Sequence, residues 1–153
     1  MSITGAANQW VCDLVPYEPG KPIEETAREL GLQPEDIIKL ASNENPLGPT
    51  PQLQVHLGEM LKDCARYPDG SAFQLKQKLS EQLGVATDRL TVGNGSNDVL
   101  ELLARVFLKP GHNTVVSQHA FVVYGLVTQS LGATLRVVPC VDYQQDLDGT
   151  LAM

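Results

Sequence analysis

The sequence predicts an α/β fold in which helices cover a mainly parallel sheet, entered through an N-terminal arm. Three observations predict it. From Leu90 onward, short β-branched runs alternate with stretches of helical periodicity, and strands separated by helices of that length need crossover connections, which make a parallel sheet. Glycine or proline closes most of these stretches, as Pro110-Gly111 and Gly132 do. A glycine turn, Gly93-Asn94-Gly95, falls between a strand and a helix, at the strand end where open α/β sheets bind ligands.

Taken in order, the first twenty residues end in Val15-Pro16-Tyr17-Glu18-Pro19-Gly20, too rich in proline for a regular element, and read as an extended arm. Pro22 suits the first turn of a helix over Ile23–Leu30, which Gly31 closes. Residues 37–40 read as a short strand and 41–49 as a turn-rich loop. Thr50 and Pro51 start a helix with Leu53, Leu57, Met60 and Leu61 at helical spacing. The stretch Arg66-Tyr67-Pro68-Asp69-Gly70 breaks it. Ser71 opens a second amphipathic helix with Phe73, Leu75, Leu79 and Leu83 as core candidates, ended by Gly84. Strands follow at 90–92, 114–117 and 135–139, with helices at 97–108 and 121–131 between them. Leu100, Leu103, Val106 and Phe107 read as core. Asp146-Leu147-Asp148 looks like a helix start, with Met153 inside its first two turns, so the carboxyl end reads as a truncation. No internal repeat or low-complexity tract is visible.

The chain has 153 residues, 42% hydrophobic and 19% charged, with a formal net charge of -7. This is globular composition, and its acidity argues against nucleic acid or an anionic membrane as partner. No apolar run approaches a membrane span, and the start lacks a basic segment followed by an apolar one. Cys12, Cys64 and Cys140, and His56, His112 and His119, show no metal-ligand spacing. The expectation is a cytoplasmic, metal-free protein with reduced thiols.

The turn Gly93-Asn94-Gly95-Ser96-Asn97-Asp98 carries the chemistry. Glycines allow close approach and positive φ, and the helix that follows offers free N–H groups and a positive dipole end to a phosphate. Ser96 and Asn97 add side-chain donors. The text is neither a Walker loop nor a dinucleotide fingerprint, and a tight turn with an ordinary N-cap is the competing reading.

Several motifs occur together: Tyr17-Glu18-Pro19-Gly20-Lys21, Ala41-Ser42-Asn43-Glu44-Asn45-Pro46-Leu47-Gly48-Pro49, Arg66-Tyr67-Pro68-Asp69-Gly70, the glycine turn, and His119-Ala120-Phe121-Val122-Val123-Tyr124. In that order they resemble the N-terminal part of the histidinol-phosphate aminotransferases, fold-type I enzymes dependent on pyridoxal 5'-phosphate. The resemblance implies an incomplete large domain of the aspartate aminotransferase-like kind, a three-layer α/β/α sandwich. Residues 1–49 would be the arm and a small-domain segment, and 50–153 part of the cofactor-binding domain.

It further implies that Gly95, Ser96 and Asn97 cradle the cofactor phosphate and that Phe121 stacks on its ring, against a rival reading of Phe121 as core. Tyr67 would reach the neighbouring subunit's cofactor in a homodimer. Tyr17, Asn43, Asn45 and Tyr124 would lie near the substrate, although Asn45 equally suits a structural turn. In the family the cofactor-bearing lysine lies downstream of the stretch matched here, so Lys21, Lys39, Lys62, Lys76, Lys78 and Lys109 are expected to be non-catalytic and the polypeptide alone inactive. The implied reaction is transfer of an amino group from L-histidinol phosphate to 2-oxoglutarate. Alternatives are another aminotransferase or an amino-acid phosphate decarboxylase of the same fold, or a non-catalytic phosphate-binding domain.

Overall fold

A computed structural model describes residues 3–153, which form two compact units. One contains the described residues up to Tyr17 together with Asp88–Met153; the other is Glu18–Thr87.

The first unit is built on a parallel pair of strands, β1 (Asn113–Ser117) and β2 (Thr134–Val138), in register from Asn113 opposite Thr134 to Ser117 opposite Val138. Parallel neighbours cannot be joined by a tight turn, and helix α6 (Val123–Ser130) supplies the crossover. Its left-handed exit at Gly132, φ +68°, returns the chain to the sheet. Helix α5 (Ser96–Phe107) precedes β1 and packs on α6. Burial concentrates between α6 and β2: Val123, Thr128 and Val138 are the buried residues of this unit among those described. Thr128 hides its hydroxyl by donating it to the Tyr124 carbonyl at 2.7 Å, as a buried polar group must. The short helix α1 (Gln9–Cys12) lies against α6, and α7 (Leu147–Leu151) is capped by Asp146, whose carboxylate accepts the Gly149 N–H at 2.8 Å.

The second unit holds three α-helices. α2 (Ile23–Leu30) ends at left-handed Gly31 and buries Ala27. α3 (Pro51–Met60) starts as its text predicts: Thr50 Oγ1 accepts the Leu53 N–H at 3.3 Å and Pro51 fills the first helical position. α4 (Phe73–Leu83) ends at Gly84.

Several expectations need correction. Residues 37–40 and 90–92 are not strands. β-branched runs become strands only when a neighbour takes up their backbone groups, and among the described residues β1 and β2 pair only with each other. Ser71 does not open α4. Ala72 is left-handed, the helix begins at Phe73, and Asp69 is the cap: its carboxylate accepts the N–H groups of Ser71 and Phe73, each at 2.9 Å, and the Ser71 hydroxyl. The helix expected from Phe121 begins at Val123, leaving Phe121 in the loop after β1. The proposed core of α5 is uncovered: Leu103, Val106 and Phe107 are all at least half exposed, and Leu100 is half-buried. The core candidates of α3 and α4 are likewise exposed, apart from half-buried Leu79.

Candidate active site

The glycine turn is shaped by two different requirements. Gly95 takes φ +84°, a conformation open to glycine and costly to other residues. Gly93 has no such angle; its need is space, because a Cβ there would lie 2.8 Å from Asp98 Oδ2 and 3.1 Å from Val99 Cγ2. Asp98 folds back so that Oδ2 accepts the Asn94 N–H at 2.9 Å, while Gly95 N–H bonds the Gly93 carbonyl at 2.9 Å. The turn is therefore closed on its own atoms. No side chain caps α5, so its first-turn N–H groups have no intrahelical partner and face outward beside exposed Ser96 and Asn97. Unspent donors at the positive end of a twelve-residue helix could hold an anion.

Phe121 and Tyr17 come together. Their rings meet edge to face with centroids 6.4 Å apart and planes at 78°, an arrangement favoured by the aromatic quadrupole. Both remain about half exposed, so they form a wall with one open side. At the end of β1, Ser117 Oγ and Cys140 Sγ are 3.1 Å apart, and Gln118 Oε1 accepts the Cys140 N–H at 3.2 Å. Tyr124 points elsewhere in this unit: with Leu100, Phe107, Val127 and Thr128 it lines an apolar groove of about 300 Å³ between α5, α6 and β1.

In the second unit, Asn45 is occupied by its own turn. Its Oδ1 accepts the Leu47 N–H at 3.1 Å and its Nδ2 donates to the Gly48 carbonyl at 3.3 Å. Asn43 is exposed next to Ser42, whose φ of 66° bends the loop. Tyr67 is fully exposed, at 102%, on the loop between α3 and α4. Four lysines are tied to carboxylates: Lys21 to Glu25 and Glu29, Lys39 to Glu44, Lys62 to Glu59 and Lys78 to Glu81. The Glu29 carboxylate holds the Lys21 ammonium above its usual pKa. Among the described residues no group of His, Cys, Asp and Glu is arranged to hold a metal, the cysteines are free, and no helix is long and apolar enough to cross a membrane.

The glycine turn and the Phe121 loop follow successive segments of one α/β unit, and residues 35–152 match the sequence profile of the family described as aminotransferase class I and II. This chain belongs to that family. It is 54% identical over 151 residues to histidinol-phosphate aminotransferase 2 of Nitrosospira multiformis, covering 99% of this chain and 38% of that relative. It is 55% identical over 138 residues to the histidinol-phosphate aminotransferase of Stutzerimonas stutzeri, covering 90% and 37%. The crystal structure of histidinol-phosphate aminotransferase from Sinorhizobium meliloti in complex with pyridoxal-5'-phosphate superposes with a TM-score of 0.77 at 26% identity, over 94% of this chain and 37% of that one. This member of the aminotransferase family thus has the α/β fold of that enzyme's corresponding part, and spans 37–38% of the length of these relatives.

Two residues around the candidate site take roles that their local sequence does not announce. Asp98 ties down the turn by accepting the Asn94 N–H, and its place five residues after Gly93 is the signal the sequence carries for it. Trp10 carried no pattern, because its partners lie 119 and 120 residues away.

Proposed function

We propose that this chain forms the phosphate-holding part of a pyridoxal 5'-phosphate-dependent aminotransferase that moves the amino group of L-histidinol phosphate to 2-oxoglutarate. The observation that carries the reading is the uncapped start of α5 behind the Gly93–Gly95 turn. A phosphate fits there without a lysine, since donors, dipole and close backbone approach are all in place. Gly95, Ser96 and Asn97 hold the phosphate, and Phe121, supported by Tyr17, offers the apolar face for the ring. When bound, the cofactor supplies an electron sink for bond breaking at the carbon that carries the amino group. The residues here would orient it, and the resemblance assigns its covalent lysine to none of the six in this chain.

Tyr17, Asn43 and Asn45 are the substrate-side residues of this reading, whereas Tyr124 lines the groove between α5 and α6 instead. Asn45 acts by shaping its loop, given the bonds its amide already makes. Exposed Tyr67 reaches the neighbouring subunit's cofactor in an isologous homodimer. Residues 1–49 are arm and small-domain segment, 50–153 belong to the large domain, and the enzyme works in the cytoplasm.

The test is a fusion of this chain to the remaining C-terminal part of the Nitrosospira relative. The fusion is expected to release glutamate from 2-oxoglutarate with L-histidinol phosphate, and Ser96→Ala with Asn97→Ala to raise the cofactor concentration required. A fusion that transfers from aromatic amino acids and ignores histidinol phosphate would overturn the substrate; one insensitive to the double change would overturn the cradle.

A further inference from the structure

The arm is fastened at two points and slack between them. At one end, the indole Nε1 of Trp10, the chain's single tryptophan, donates to the Ser130 carbonyl at 3.2 Å. The Gln129 side-chain amide donates back to the Trp10 carbonyl, also at 3.2 Å. The indole lies so close over Gly132 that a Cβ there would sit 3.0 Å from its Cε2. From this point, at the carboxyl end of α6, the chain runs back along the helix to its beginning, where Tyr17 meets Phe121. The middle holds little: Val15 is 78% exposed, and beneath Val15 and Pro16 lies an unfilled hollow of about 390 Å³ floored by Val122, Gly125, Leu126 and Leu135. One edge-to-face aromatic contact is worth less than the conformational entropy of fixing the residues between the two ends, so Tyr17 needs an anchor elsewhere.

We infer that Trp10 is a latch that fastens the arm to the end of α6 and thereby sets Tyr17 against Phe121, making Trp10 a positioning residue for the aromatic wall. Its bearing on the cofactor rests on the reading given under Proposed function; the latch itself does not. Gly132 is part of the device, since only a residue without a side chain leaves room for the indole.

The experiment uses the full chain, cofactor-free, labelled with 3-fluorotyrosine; the signals of Tyr17, Tyr67, Tyr124 and Tyr143 are assigned by single Tyr→Phe changes. Phe121→Leu is expected to shift the Tyr17 signal by removing the neighbouring ring. Trp10→Ala is expected to move it to the same position while Tyr67 and Tyr143 stay put, and Trp10→Phe to restore part of the displacement. Gly132→Ala should do as Trp10→Ala does and also shift the tryptophan emission to the red. Should that strained position fail to fold, Gln129→Leu, which removes only the bond to the Trp10 carbonyl, is expected to move both signals in the same direction. A Tyr17 signal that responds to Phe121→Leu and ignores Trp10→Ala overturns the latch, as does one that ignores both. Adding pyridoxal 5'-phosphate to the unmodified chain is expected to shift the Tyr17 signal again. Silence there counts against the cofactor reading alone, because the latch is read without cofactor.

Discussion

A methyl group on Gly93 would press on the Asp98 carboxylate and the Val99 side chain at once. The carboxylate cannot retreat freely, because it holds the Asn94 N–H. Gly93→Ala is therefore expected to destabilise the unit by about 1–3 kcal/mol, as overpacking of a closed site does. Pairing it with Asp98→Ala should return part of that loss, since the two are in direct contact and their effects are not additive. Thermal melts of the four proteins in the cycle check this, and strictly additive losses would show that the two residues do not share a constraint. The glycine positions of this turn were legible in the sequence, because glycine text marks backbone requirements. The division of labour between them was not: space at Gly93 is defined by a side chain five residues on, and only the folded turn brings it there. Asn45 gives the complementary case, where an asparagine before proline names its own turn.

Among the elements, local text was most reliable where local chemistry decides. Thr50 with Pro51, Asp146, and the glycines after α2, α4 and α6 mark helix ends as their chemistry demands. At α4 the expected opener, Ser71, gives way to Asp69, whose carboxylate takes the role because it accepts from two N–H groups and the serine hydroxyl together. Those bonds, the one from Phe73 first, hold the Asp69 carboxyl below its usual 3.8. A carboxyl whose folded value is depressed stabilises the fold fully above its unfolded value, and that contribution fades as pH falls through the lower one. On acidification the Ser71 and Phe73 amide signals are expected to titrate together with a midpoint below 3.8, and Asp69→Asn to abolish the titration. A midpoint at or above that value would remove Asp69 from the cap. The strand expectations at 37–40 and 90–92 failed for the opposite reason: a strand is defined by its neighbours, and no run of β-branched residues encodes whether one is present.

At the scale of the whole molecule, apolar surface outweighs what is buried. Among the described residues only Ala27, Val123 and Val138 are buried apolar side chains, whereas Leu40 and Leu47 are about nine-tenths exposed and Phe107 two-thirds. The groove beside α5 adds Leu100, Ala104 and Val127 to the same open face. Covering a side chain of that size is worth about 1.5–3 kcal/mol, so the uncovered faces of α3, α4 and α5 together represent a strong drive toward association. The net charge of -7 opposes it, and that repulsion is screened within about 10 Å at 0.1 M salt. The chain alone is therefore expected to bind a hydrophobic dye and to self-associate more as salt is added, the reverse of what a charge-held assembly would do. In the fusion to the remaining part of the Nitrosospira relative, which this chain matches over 38% of its length, dye binding should fall, because the added layers cover these faces. Dye fluorescence and sedimentation at two salt concentrations measure both effects. A chain that stays monomeric and dye-free at high salt would mean that its helices close over one another in solution, and the amphipathic periodicity of α3, α4 and α5 would then be satisfied within the chain itself.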